Sequence, residues 1–298
     1  VALPVPASGD RASAELATPS TAAFVSLRAT AVDDFGGSLR RTVIRAFAGP
    51  ASQYDETVDA TKISNVVING GSPVVLTPSG AREFTATFTA TDPAGIAGGD
   101  IYLYHGSYSS PNTVLVSGQA TACTTVTATT STCRATFQVD PRLSLGKTAL
   151  AFDPRSRLGT TAQAGVWQVA VRAHSQDNRS FTDRHAVARF SVLRHTKLTA
   201  SATPNPVRKG NTIAVKGTLT QANWERTPYS GYPGQVVTLQ FRKAGTSTYA
   251  TVKNVTVDQF GEVTVKVTAP ASGYWRYVFA GTSTTAPVTS SGAYVSVT

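Results

Sequence analysis

Methionine is missing from the whole 298-residue chain, cysteine occurs only twice, and Asp, Glu, Lys and Arg together make up just 15% of it. With no Met at position 1, an N-terminal secretion signal is expected to have been removed, which would make the protein extracellular. No stretch approaches the roughly 18 apolar residues that a membrane span needs, and no cysteine lies near residue 1 to carry a lipid anchor. Catalytic signatures are missing as well. There is no Gly-x-Ser-x-Gly elbow, no His-Glu-x-x-His, no Gly-Lys-Ser/Thr phosphate loop and no Gly-x-Gly-x-x-Gly. These absences disfavour the commonest hydrolases, zinc peptidases and nucleotide enzymes, although a catalytic triad can assemble from distant positions. The expectation is a protein that is not an enzyme.

What fills the chain instead is Thr, Ala, Val, Ser and Gly, the balance of a β-rich protein whose outer faces are wetted by hydroxyls rather than charges. One pattern occurs twice: Gly165-Val166-Trp167-Gln168-Val169-Ala170-Val171 and Gly273-Tyr274-Trp275-Arg276-Tyr277-Val278-Phe279. In each copy a tryptophan opens a strict in–out alternation, as the central strand of a β-sandwich requires. The two tryptophans are 108 residues apart, about the size of one immunoglobulin-like domain. The fold class is therefore expected to be all-β. Two tandem immunoglobulin-like antiparallel sandwiches, residues 62–195 and 196–298, would follow an N-terminal extension, residues 1–61.

Seven short strands between Leu198 and Val297, separated by Gly- and Pro-containing turns, make up the second sandwich. There Tyr274, beside a buried Trp275, is expected to act as a corner tyrosine bonded to backbone. The first sandwich has nine strands between Ile63 and Leu193. Its long connection from Asp140 to Gly165 carries Leu143, Leu145, Leu150 and Phe152, which suit packing over a sandwich edge. The junction Arg194-His195-Thr196-Lys197 has neither Gly nor Pro, so the sandwiches should be held end to end with little freedom. Within the extension, the Ala/Pro/Ser-rich first 19 residues read as a mobile tail. Leu39, Val43 and Phe47 share one helical face, with Ser38 placed to cap it and Gly49-Pro50 to stop it. Two elements around Asp33-Asp34-Phe35-Gly36-Gly37 read as a hairpin that must dock to be stable.

Charge is uneven. Residues 1–62 carry six basic and seven acidic groups, residues 63–196 eleven and seven, and residues 197–298 ten and three. The last third is thus strongly positive, which favours polyanions such as teichoic acids of the cell wall, nucleic acids or acidic glycans. Its basic residues are dispersed along strands, with no recognition helix or Arg-rich run, so solvated strand faces are the commoner reading and sequence-specific nucleic-acid binding is not expected.

Three constellations could carry chemistry. Cys123 and Cys133, ten residues apart in a Thr-rich stretch, suit a disulfide across a hairpin, whereas a redox pair or metal site would want Cys-x-x-Cys or further His and Cys neighbours. In an immunoglobulin-like sandwich the B–C and F–G loops meet at one pole. Here those loops carry Asp92 and Asp100, then Asp177, Asn178 and Asp183, an oxygen-rich set that calcium could bridge. Against calcium, Asp92 and Asp100 could bond local turn amides while Arg172, Arg179 and Arg184 neutralise the rest. The third constellation is the loop containing Trp224, Tyr229 and Tyr232. These aromatics suit stacking on sugars or anchoring a partner, but a satellite cluster against the neighbouring sandwich is the stronger reading.

Several stretches resemble a family of secreted two-sandwich proteins of high-GC Gram-positive bacteria. They include Thr61-Lys62-Ile63 through Val67-Ile68-Asn69-Gly70-Gly71, Thr89-Ala90-Thr91-Asp92 with Gly95-Ile96, and residues 199–217. Asn223-Trp224, Gly234-Gln235, Leu239-Gln240-Phe241-Arg242-Lys243 and Gly273-Tyr274-Trp275-Arg276-Tyr277 with Phe279-Ala280-Gly281-Thr282 continue it. The resemblance covers about residues 61–298. Members are labelled no more specifically than secreted or calcium-binding, so it implies fold and export more than activity. Where relatives often show an Asp-Asp pair this chain has Asp92-Pro93, which removes one potential calcium ligand.

The function expected from the residues is that of a non-catalytic secreted protein. It would present loops of two sandwiches to a cell-wall polymer, a glycan or a protein partner. A calcium-stabilised structural protein, an inhibitor or substrate of a co-secreted enzyme, and a hydrolase with its site at the pole of the first sandwich are the alternatives.

Overall fold

A computed structural model describes residues 22–25, 31–32, 38–39, 46–48, 55–108, 110–115, 117, 120–141, 155–156, 160–225 and 228–298. The chain divides into two units, Val1–Gln53 and Tyr54–Thr298. In the first unit Ala22–Val25 pairs with Ala46–Ala48, and Ala31–Val32 pairs antiparallel with Ser38–Leu39. The second pairing gives the hairpin expected around Asp33–Gly37. Ser38, Leu39 and Phe47, however, belong to strands rather than to the expected helix.

The second unit contains both sandwiches. In the first, one sheet runs in the order Ser110–Leu115, Ile96–Ser107, Gly165–Ser175, Phe181–Arg194 and Glu56–Val58, with Val74–Leu76 parallel to the end of Phe181–Arg194. The facing sheet is Ala122–Thr127, Thr130–Val139, Arg82–Thr91 and Lys62–Ile68, with Arg155–Ser156 alongside Thr130–Val139. Because Glu56–Val58 pairs with Phe181–Asp183, this sandwich starts ahead of the boundary expected at residue 61. The long connection with Leu143, Leu145, Leu150 and Phe152 lies outside the described residues.

Period-two patterning accounts for the core. Along Arg82–Thr91, Phe84, Ala86, Phe88 and Ala90 are buried, while the β-branched Thr85, Thr87, Thr89 and Thr91 face outward. Phe84 stacks on Phe137 across the pair of strands, ring centroids 5.5 Å apart. Trp167 and Val169 fill the opposite sheet's inner face, both fully buried.

In the second sandwich Thr212–Ala222 is the hub of one sheet. It pairs with Thr196–Leu198 and Ser201–Thr203, and on its other edge with Glu262–Thr268 and Tyr229–Gly231. The facing sheet runs Ala250–Thr256, Val236–Lys243 and Gly273–Phe279, whose far edge carries Val288–Thr289 and Ala293–Val295. Trp275, Tyr277 and Phe279 point into the core, repeating the pattern of the first copy.

The expected corner tyrosine is Tyr277 and not Tyr274. Tyr277 is buried and its hydroxyl donates to the Val215 carbonyl at 2.9 Å, whereas Tyr274 alternates to the outer face. A glycine makes this possible. A Cβ at Gly217 would stand 2.8 Å from the Tyr277 ring and 2.6 Å from the Thr199 carbonyl.

At the junction, backbone bonds alternate between the sandwiches. His195 N–H donates to the Leu76 carbonyl of the first, at 2.9 Å. Arg194 exchanges bonds with Thr284 and Ala286 of the second, and the His195 carbonyl accepts from Ala222 N–H at 2.7 Å. The linker is therefore consumed in pairing, which leaves it no slack as a hinge.

Candidate functional site

The two loops expected at one pole of the first sandwich do meet there. The Gly95 carbonyl accepts from Gln176 N–H at 3.0 Å, and the Ser180 hydroxyl donates to Asp92 Oδ2. Gly95 has φ +83°, and a Cβ there would stand 2.9 Å from the Ala128 carbonyl, so this close crossing depends on glycine.

The five residues expected as calcium ligands nevertheless separate into three places. Asp92, only 3% exposed, is surrounded by protein donors. Thr61 Oγ1 lies 2.7 Å from its Oδ2 and Ala94 N–H donates to Oδ1 at 2.8 Å. Burial pushes its carboxyl up, but the Ser180 and Thr61 hydroxyls and the Ala94 amide outweigh that and hold it below the ordinary value. Asp177 closes its own turn, accepting from Ser175 Oγ at 2.6 Å and from Arg179 N–H at 3.1 Å. Asn178 sits in that turn at φ 58°.

Asp100 and Asp183 lie elsewhere, on the outer face of the sheet, directly opposite Arg172 on its two sides. An arginine between two aspartates supplies the positive charge that a cation would otherwise bring. Among the described residues no three of His, Cys, Asp or Glu gather as metal ligands.

Asp183 also approaches His185, Oδ1 to Nε2 3.6 Å, and burial raises its carboxyl. The His185 ring is stacked on Tyr108 with centroids 3.8 Å apart. Its backbone is held at both ends: the carbonyl accepts from Tyr104 Oη at 2.6 Å and the N–H donates to Asp55 at 2.8 Å. These contacts tie the chain just ahead of Glu56–Val58 to the sheet.

The aromatic loop lies in the seam between the sandwiches. Trp224 is 2% exposed and belongs to the hydrophobic core of the first sandwich, although its loop belongs to the second. Tyr229 packs against the same core, with its hydroxyl 3.1 Å from His195 Nδ1 and Lys197 Nζ 3.9 Å from its ring centroid. Tyr232 meets Phe279 edge to face, and the Arg194 guanidinium carbon lies 5.9 Å from the Tyr232 ring centroid. Glu225 completes the seam by accepting from the Thr161 amide and hydroxyl, both at 3.0 Å. The arrangement is that of a satellite cluster and not of aromatics offered to a ligand.

A different surface emerges on the outer face of the second sandwich. Outward positions of Val236–Lys243 and Gly273–Phe279 alternate with the core residues. Register sets Gln240 opposite Arg276, Arg242 opposite Tyr274, and Tyr274 opposite Tyr294 on the next strand. The Arg276 guanidinium carbon lies 3.6 Å from the Tyr249 ring centroid, and that of Arg242 lies 5.2 Å from the same ring and 4.2 Å from Tyr274. Tyr274 and Tyr294 pack at 5.1 Å. Arg276 Nε donates to Gln240 Oε1 at 2.9 Å, while Arg242 donates to the Thr246 carbonyl. Among the described residues no carboxylate pairs with either arginine.

Sequence reasoning read these arginines as dispersed charge. The signal was nonetheless present in Gln240-x-Arg242 and Tyr274-x-Arg276, where polar and cationic residues occupy the outward phase of two strands whose inward phase is apolar. The disulfide was legible in full. Cys123 stands opposite Cys133 in the antiparallel register, and the two are bonded.

No family profile matches the chain, and no curated protein matches it. Among solved structures, dimeric latent PorU from Porphyromonas gingivalis is 12% identical, with a TM-score of 0.26 over 83% of this chain. The chain spans 20% of the length of PorU. A marsupial T cell receptor is 12% identical, with a TM-score of 0.34 over 80% of this chain and 73% of its own. The fibronectin(III)-like modules of Clostridium thermocellum CbhA are 9% identical, with a TM-score of 0.30 over 78% of this chain and 95% of theirs. Likeness at these scores carries no argument about fold or function.

Proposed function

We propose that this chain is a non-catalytic interaction protein of the cell exterior, in which the second sandwich offers a basic, aromatic sheet face to a negatively charged partner. An anionic wall polymer or an acidic glycan fits that description. The observation that carries this reading is the pair of arginines, Arg242 and Arg276, held by tyrosines and lacking any carboxylate partner among the described residues. A structural role alone would be better served by neutralised pairs, because two close like charges repel. The fused seam supports the reading too, since it fixes the direction in which that face points relative to the rest of Tyr54–Thr298. The Cys123–Cys133 disulfide fits an oxidising compartment. Among the described residues no helix is long and apolar enough to cross a membrane.

The test is co-sedimentation of the full chain with insoluble cell-wall material and with immobilised anionic and neutral polymers at about 0.15 M salt, where weak long-range attraction is screened. Retention on anionic but not neutral polymers is expected. Absence of retention on every anionic polymer would overturn the proposal.

A further inference from the structure

Resting on that reading, we infer that the outer face built by Gln240, Arg242, Tyr249, Tyr274, Arg276 and Tyr294 is a docking surface for a carboxylate-bearing polysaccharide. The ligand's carboxylates would bridge the two guanidinium groups and its sugar rings would lie against the tyrosines.

Charge complementarity is the first argument. The guanidinium carbons lie 5.2 Å and 3.6 Å from the centroid of one ring, that of Tyr249, so the two positive charges are less than about 9 Å apart. The tyrosine faces offset part of the repulsion through their negative quadrupoles. An anion placed between the arginines would relieve the remainder. The second argument is preorganisation. A free arginine loses much side-chain entropy on binding, but Arg276 is fixed by Tyr249 and by Gln240 Oε1, and Arg242 by Tyr274 and the Thr246 carbonyl. Arg276 uses its Nε and Arg242 one Nη in these bonds, and a guanidinium has five N–H donors in a planar fork that matches a carboxylate.

Shape decides between a small anion and a polymer. The face is the outer side of a sheet on which Arg242, Tyr249, Tyr274 and Arg276 are half-buried, with neighbouring strands delivering Thr238, Gln240 and Thr251 in adjacent rows. Groups spread over neighbouring strands in this way suit an extended chain better than a small ion. Thr238 Oγ1 donates to Asn254 Oδ1 at 2.8 Å, which leaves the Asn254 amide nitrogen, with that of Gln240, to suit sugar hydroxyls. Tyr294, 45% exposed at the margin, offers ring surface for stacking. Nucleic acid fits less well, because its affinity rests on a long track of phosphate contacts and this face supplies two cations.

The experiment measures affinity of the full chain for polygalacturonate, for its methyl-esterified form and for poly(glycerol phosphate), at about 0.15 M salt. Polygalacturonate should bind and the ester should not. Arg242→Ala and Arg276→Ala should each weaken binding by about tenfold, as expected for a lost charge-assisted hydrogen bond. Arg→Lys at both sites, which keeps charge but loses the fork, should fail to restore it. Thermal melting of each variant verifies folding, and Tyr249→Ala, which leaves both charges, should weaken binding by loosening the arginines. Wild-type affinity in the double Arg→Ala variant would overturn this site while leaving an anionic partner in place. Binding to poly(glycerol phosphate) as tight as to polygalacturonate would overturn the ligand class. Failure to bind any of the three, or the wall material, would overturn both this inference and the reading it rests on.

Discussion

The Tyr277 hydroxyl donates to the Val215 carbonyl at 2.9 Å, tying the two facing sheets of the second sandwich together across its core. The residues are 62 positions apart, and the bond lies where no water reaches it. Tyr277→Phe keeps the ring and its packing but leaves the carbonyl without this donor. It should destabilise the protein by about 1–2 kcal/mol, read as a lower urea midpoint with an unchanged slope. An unchanged midpoint would show that the bond contributes nothing to stability.

The same burial has a consequence at alkaline pH. Burial raises the Tyr277 phenol far above its ordinary value, and Tyr108 is raised by burial and then by Asp183. A raised folded-state value means that both states are neutral below the unfolded value of about 10. Above it only the unfolded chain ionises, and stability falls. Urea midpoints should therefore be flat in this respect up to about pH 10 and drop beyond it. Spectrophotometric titration should show a set of tyrosines that ionise only with unfolding. Smooth titration of all tyrosines in the folded protein would refute the assignment.

Trp224 makes the two sandwiches energetically one. Its indole fills the core of the first sandwich from a loop of the second. Trp224→Ala should cost about 3–5 kcal/mol through the cavity it leaves. The wild-type chain should melt its sandwiches in one calorimetric transition, and the variant should separate them. Two transitions already present in the wild type would contradict the coupling.

Much of this was legible in the sequence because period-two alternation is a local signal. Gly165–Ser175 and Gly273–Phe279 declare their inner faces residue by residue, and Cys123 and Cys133 are close enough for a hairpin to pair them. The sites were harder to read because their partners are remote. Asp92 reads as a ligand until Thr61 and Ser180 are seen around it, 31 and 88 residues away. Arg172 reads as a neutraliser of its own loop until register sets it between Asp100 and Asp183. Composition located the positive charge in the last third, but only cross-strand pairing brings Arg242 beside Tyr274 and Arg276 beside Gln240.

The bonds to Asp92 fix its response to acid and to calcium. Its carboxyl is depressed, so the charged form is favoured in the folded state; the stability it supplies is present above about pH 4 and is lost as pH falls through the folded value. Asp92→Asn should flatten that acid limb and lower stability near neutral pH by about 1–3 kcal/mol, since an amide replaces one of the two accepting oxygens with an NH2 donor. Both oxygens of Asp92 are already engaged by Ala94, Thr61 and Ser180, so the melting temperature should not move with added calcium or chelator. A calcium-dependent rise would show that the loops rearrange to admit the ion.

The disulfide offers a last, quantitative test. Cys123 and Cys133 are only ten positions apart, so the loop they close is short, and the strands carrying them are already paired in register. Constraint on the unfolded chain grows with loop length, which limits the gain here to about 2–3 kcal/mol. Thr130–Val139 is held independently along its other edge by Arg82–Thr91, through ten paired positions ending at Thr130↔Thr91 and Val139↔Arg82. Paired Cys123→Ser and Cys133→Ser substitutions should therefore leave a folded, cooperatively melting protein with a lower midpoint, and affinity for polyanions should be unchanged because the Arg242–Arg276 face belongs to the other sandwich. Loss of the fold on reduction would mean that the strand pairing depends on the covalent link.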